Sequence, residues 1–236
     1  MWSGPRNLST AMMRSFGARA DMSVMDEPFF APFLDATGKA HPGRDETLAT
    51  HPTDPKIVAA ACAAKPITAH SFQKHMPHHM LPDFPTDWME SRADNEVQHF
   101  FLIREPARVI ASYAKGRAAF DLDDLGFAPQ LRLWEELGRP PVIDSQDILR
   151  APEPALRTLC AAINLSFDPA MLSWEAGSRT TDGAWAPYWY ASVEASTGFS
   201  PAPATTPNVP HEYADILAAC EADYAALKAA ALPVPI

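Results

Sequence analysis

Eight residues at the start of the chain, Ser3-Gly4-Pro5-Arg6-Asn7-Leu8-Ser9-Thr10, bring a glycine, a guanidinium and several hydroxyls into one short loop. Set between a strand and a helix, such a loop aims free backbone N–H groups and the positive end of the helix dipole at one point, where an anion is stabilised. Arg6 adds a fork of donors suited to phosphate or sulfonate oxygens, and Ser9 and Thr10 add hydroxyls on the first helical turn. The loop is not a Walker A motif, since GxxxxGK[ST] is absent. Taken alone it reads equally well as a capped strand-to-helix turn. A second basic position shifts that balance. Leu102-Ile103-Arg104-Glu105-Pro106 puts Arg104 at the carboxyl end of a β-like segment, where ligands of open α/β sheets bind. Ser112 follows on the next helix, about two turns away, a spacing that does not by itself turn it toward the same pocket.

These residues need elements to hold them. Five β-like segments, 1–3, 23–25, 66–69, 99–103 and 141–144, alternate with helical stretches predicted at 8–19, 55–64, 106–115, 129–137 and 153–163. The alternation predicts an α/β protein with three α/β/α layers around a central parallel sheet of about five strands. Proline clusters at 77–85 and 201–210 predict loops or lids. In the last segment Tyr213, Ile216, Leu217, Cys220, Tyr224 and Leu227 fall at helical spacing, which predicts a docked C-terminal helix at about 211–231. No linker divides the chain, so one domain over 1–236 is expected.

The two basic sites together resemble the phosphate-binding signatures of sulfotransferases that use 3'-phosphoadenosine-5'-phosphosulfate (PAPS). The likeness is greatest to poorly characterised bacterial members and runs through most of residues 1–175. It implies a P-loop NTPase-like fold, with Gly4 through Thr10 around the 5'-phosphosulfate and Arg104 with Ser112 on the 3'-phosphate. It also implies a late basic residue at the 3'-phosphate, for which Arg179 is the candidate. The loop departs from the family's usual Pro-Lys-Ser-Gly-Thr-Thr by carrying Arg6 in place of Lys and Leu8 in place of Gly. Arg and Lys are not interchangeable at a bidentate site. Only Met1 and Trp2 stand ahead of the loop, so a short first strand is expected.

Sulfonate transfer needs a base for the acceptor's proton and cations facing the leaving phosphate. The resemblance offers Glu27, after the second β-segment, and His75, in a stretch similar to the Lys-x-His-x-Pro region of members with a catalytic histidine. Lys74 beside it is the candidate for stabilising the leaving group or orienting the acceptor. His75, His78 and His79 lack an acidic or cysteine partner at metal-ligand spacing, so no metal is expected. Trp174, Trp185, Trp189 and Tyr190 suit either a pocket wall or the core.

Composition narrows the partners. A net charge of −10 with no basic block argues against nucleic-acid and anionic-membrane binding, so a phosphate must be held locally. Cys62, Cys160 and Cys220 lie far apart and read as buried free thiols, and no apolar run reaches membrane-spanning length. A cytoplasmic enzyme acting on a small-molecule acceptor is the expectation, with PAPS as co-substrate. The alternatives are a nucleotide kinase-like phosphoryl transferase and a non-catalytic nucleotide-binding module.

Overall fold

Short β-prone runs, each closed by a turn or a helix cap, form five parallel strands: β1 (Trp2–Ser3), β2 (Met22–Asp26), β3 (His70–Lys74), β4 (Phe101–Ile103) and β5 (Val142–Asp144). The computed structural model describes residues 1–91, 95–115, 120–201 and 205–235. Residues 202–204 of the second proline-rich segment therefore lie outside the described residues.

The strands do not make the single five-stranded sheet expected from the sequence. They form a three-stranded sheet in the order β1-β4-β5 and a separate pair β2-β3. The cause is the length of β1. With two residues it reaches the end of β3 only at the bridge between Trp2 and His75, where Ser3 N donates to His75 O (3.0 Å) and His75 N to Met1 O (2.9 Å). The third strand also lies later than the 66–69 segment. Pairing with β2 from Met22–His70 to Asp26–Lys74 sets its register, and Ile67 is left 97% exposed.

Twelve α-helices surround the strands among the described residues: α1 (Ser9–Gly17), α2 (Phe30–Thr37), α3 (Arg44–Thr50), α4 (Pro55–Ala63), α5 (Pro106–Tyr113), α6 (Leu122–Leu125), α7 (Phe127–Glu136), α8 (Ser145–Arg150), α9 (Pro152–Ala162), α10 (Ala186–Trp189), α11 (Ala191–Glu194) and α12 (Ala214–Ala229). Alternation along the strands separates two cores. Leu102 and Ile143 pack with Met12, Met13 and Phe16 of α1 and Leu156 and Leu159 of α9. Phe101, Ile103 and Val142 pack on the other side with Val58 of α4, Trp134 of α7 and Leu227 of α12. Helices thus cover both faces, and the carboxyl ends of β1, β2, β3 and β4 are left to carry chemistry.

Candidate anion and transfer site

The loop leaving β1 is shaped from behind. A Cβ on Gly4 would stand 2.9 Å from the Leu125 carbonyl oxygen and 3.3 Å from Asn7 Nδ2, so only glycine fits without a shift. Asn7 is buried, and its Nδ2 donates to Leu102 O (3.3 Å), a carbonyl that also accepts from Gln130 Nε2 (2.9 Å). Gly4 and Asn7 therefore brace the loop and stay out of the cavity, whereas Pro5, Arg6, Leu8, Ser9 and Thr10 line it. Arg6 and Leu8 both sit at left-handed φ, 61° and 75°, a costly conformation for side-chain-bearing residues that clusters at functional sites. Leu8 precedes α1 without a capping side chain, so the first-turn N–H groups have no side-chain acceptor.

The cavity, about 480 Å³, also takes in Arg104 and Ser112. Ser112 does turn into the same pocket, where its Oγ accepts from Arg6 Nε (3.0 Å). Arg104 Nη1 donates to the carbonyl of Arg6 (2.6 Å), while its buried Nε has no partner. Among the described residues no carboxylate lies within ion-pair distance of Arg6 or Arg104. Burial lowers the proton affinity of both guanidiniums; at Arg104 the charges of Arg108 and Arg6 add to this, while Asp144 and Glu105 oppose it from beyond ion-pair distance. Two cations without an ion-pair partner among the described residues, beside an uncapped helix start in a chain of net charge −10, fit an anion with several oxygens.

At the other side of the cavity stands Glu27, at φ 40°, on the turn that follows β2. Its Oε1 is 2.8 Å from Lys74 Nζ, and Asp26 Oδ1 is also 2.8 Å from that nitrogen. Lys74 further donates to the Tyr190 hydroxyl, which itself donates to Asp26 Oδ2 (2.7 Å) and accepts from Trp185 Nε1 (3.0 Å). Burial works against the ammonium, but Asp26 and Glu27 outweigh it and raise its affinity well above the ordinary lysine value. Burial likewise raises Glu27, with Lys74 opposing and Asp26 reinforcing the shift. Lys74 Nζ lies 3.5 Å from Thr10 Oγ1, which ties this cluster to the phosphate loop.

Three sequence-based assignments are corrected by this geometry. Lys74 is fully buried, is not among the residues lining the cavity and has its ammonium held by Asp26, Glu27 and Tyr190, so it backs Glu27 from behind. His75 is used by the fold: its ring lies 4.7 Å from both Trp2 and Trp88, and Nε2 is 3.1 Å from Gln73 Oε1. Arg179 lies outside the cavity, where its guanidinium donates to the carbonyls of Glu175, Gly177 and Ser178. Trp185, Trp189 and Tyr190 do wall the cavity, whereas Trp174 does not. The sequence reading missed the hydroxyl role of Tyr190, and it weighed His78 and His79, which both border the cavity, as metal ligands or polar loop residues. Among the described residues no three His, Cys, Asp or Glu side chains gather as a metal site.

The parallel α/β fold thus carries one cavity lined by Arg6 and Arg104 and bordered by the buried Glu27. A family model described as "Sulfotransferase domain" matches residues 1–231, and the chain belongs to that family. Two Arabidopsis thaliana proteins are similar in sequence. Branched-chain-amino-acid aminotransferase-like protein 2 is 36% identical over 224 residues, covering 93% of this chain and 39% of its own. Branched-chain-amino-acid aminotransferase-like protein 1 is 39% identical over 204 residues, covering 84% and 36%. The chain thus spans under two fifths of the length of these curated relatives. Two solved structures are similar: the sulfotransferase domain from the curacin biosynthetic pathway (TM-score 0.49, 14% identity, 99% of this chain and 91% of that one) and that from the Synechococcus PCC 7002 olefin synthase (0.48, 17%, 98% and 94%). No helix among the described residues is long and apolar enough to cross a membrane.

Proposed function

We propose that this chain is a PAPS-dependent sulfotransferase that moves a sulfonate to a hydroxyl or amine of a small-molecule acceptor. The observation that supports this reading most is the convergence of Arg6, Arg104 and Ser112 on the cavity that Glu27 also borders. PAPS supplies an activated sulfonate on a nucleotide bisphosphate leaving group. The N–H groups at the start of α1, with Arg6, Ser9 and Thr10, hold the 5' side, and Arg104 with Ser112 holds the 3'-phosphate. Arg6 neutralises charge that builds on the departing phosphate oxygen.

Glu27 is the carboxylate that collects the acceptor's proton. A carboxyl with raised proton affinity is the stronger base once ionised, and Lys74 keeps an ionised fraction available. Lys74 and Tyr190 act through Glu27 and Asp26 as positioning residues. The aromatic wall of Phe30, Trp185, Trp189 and Phe199 suits the apolar body of an acceptor.

Titration calorimetry with 3'-phosphoadenosine-5'-phosphate tests this reading. Wild-type protein is expected to bind with micromolar or better affinity, and Arg104→Ala to lose most of it. Absence of binding to the wild type overturns it, and magnesium-dependent ATP turnover would place the chain with phosphoryl transferases. Nucleotide binding without transfer to any acceptor would mark a binding module.

A further inference from the structure

We propose that His79 relays the acceptor's proton to Glu27, taking it on Nε2 while passing the Nδ1 proton to Glu27 Oε2. The inference rests on the sulfotransferase reading.

The two oxygens of Glu27 are divided between partners. Oε1 is held by Lys74, and Oε2 lies 3.9 Å from His79 Nδ1. That nitrogen is sealed from solvent and has no hydrogen-bond partner. An unsatisfied buried donor costs roughly 1–3 kcal/mol, and a shift of roughly 1 Å would bring it to hydrogen-bond length from the carboxylate. Catalytic hydrogen bonds are commonly long before substrate binds. The ring cannot tumble away from this alignment, because it is stacked between Phe30 (centroids 4.8 Å, 22°) and Phe33 (4.9 Å, 28°). His79 borders the cavity, and the relay requires its second nitrogen, Nε2, to be the atom that meets the acceptor.

A relay must start neutral. Burial holds His79 well below the ordinary histidine value, and His78, His41, Lys74 and His75 all push the same way. The balance of the step is simple. The acceptor oxygen forms a bond to sulfur as its O–H bond breaks, and the proton goes to Nε2. The Nδ1 proton passes to Glu27 Oε2, the bridging S–O bond breaks, and its electron pair leaves with the bisphosphate.

Imidazole nitrogen NMR of the full chain labelled with 15N-histidine tests the relay without any acceptor. His79, assigned by its loss in His79→Asn, or by elimination through His78→Asn, is expected as the Nδ1–H tautomer with an unprotonated Nε2. An Nε2–H tautomer in the wild type overturns the proposal. The second arm uses 3'-phosphoadenosine-5'-phosphate with p-nitrophenyl sulfate and follows p-nitrophenol. His79→Asn keeps a donor near the Nδ1 position and lacks Nε2, so it is expected to lose about 100-fold in kcat/KM with nucleotide affinity unchanged. Wild-type turnover in this variant overturns the relay and leaves the sulfotransferase reading standing, whereas a wild type that binds no nucleotide defeats that reading itself. If p-nitrophenyl sulfate is not turned over, the tautomer decides alone.

Discussion

Arg6 Nε donates to Ser112 Oγ at 3.0 Å across 106 residues of chain. The two basic sites are therefore joined into one preassembled cluster, with the Arg6 carbonyl also held by Arg104. Under the proposed function, a nucleotide entering the cavity would meet donors already ordered and lose little conformational entropy in arranging them.

Removing a charged donor from this cluster should cost more than removing a neutral one. Arg104→Ala is expected to weaken 3'-phosphoadenosine-5'-phosphate binding by roughly 10- to 100-fold, the range for hydrogen bonds to charged groups. Ser112→Ala is expected to cost about 10-fold, the low end of that range, because a neutral hydroxyl meets the charged phosphate through a single bond. Calorimetry at fixed salt reads both, and equal affinities for Arg104→Ala and wild type would separate Arg104 from the nucleotide.

Glu27 should set the acid side of the rate profile. Burial raises its affinity above the ordinary 4.5, and the base works ionised, so kcat/KM should fall as pH drops through a value higher than that. Glu27→Gln is expected to lose about 100- to 10,000-fold. The same shift has a stability sign. The protonated carboxyl favours the folded state below the ordinary carboxylate range, and that contribution is lost as pH rises through the raised folded value. An acid limb at an ordinary carboxylate position would remove Glu27 from the role.

Lys74→Met leaves Asp26 and Glu27 side by side in the interior without their cation. Breaking a buried ion pair from one side costs about 3–5 kcal/mol, so a fall in Tm is expected. Any activity that survives should show its acid limb at still higher pH, because the charge that lowers Glu27 is gone. A variant as stable as wild type would mean that the cluster is solvated.

Gly4→Ala tests the brace behind the loop. Its Cβ would press on the Leu125 carbonyl at 2.9 Å, and overpacking of this kind costs about 1–3 kcal/mol. Because the strain falls where the loop leaves β1, nucleotide affinity should drop along with Tm. Unchanged affinity with α6 displaced in the variant's crystal structure would show that α6 yields instead.

Local signals made much of this legible. The helices predicted at 8–19, 55–64, 106–115, 129–137 and 153–163 correspond within a few residues to α1, α4, α5, α7 and α9, because their caps, prolines and apolar spacing are all nearby in sequence. Long-range pairing was not legible. β3 has the sequence His-Ser-Phe-Gln-Lys, with no alternation, and its place comes from β2. Arg6, Arg104 and Glu27 were readable because each ends or follows a strand at the same edge. His75 was misread because an acceptable motif gave no sign that Trp2 and Trp88 would enclose the ring. The facing of His79 toward Glu27 depends on a turn between distant segments and has no sequence signal.

The Tyr190 hydroxyl reaches Lys74 across 116 residues, Gly183 N reaches Asp26 across 157, and Arg14 pairs with Asp182 across 168. Closing such long loops is slow compared with local helix formation. An intermediate with β1, β4, β5 and their helices in place, but the 182–190 segment undocked, would leave Glu27 and Lys74 open to water without the burial that shifts them. Refolding should therefore restore far-UV helical signal before it restores the buried environment of Trp185, and competence for proton transfer would be the last property the chain acquires.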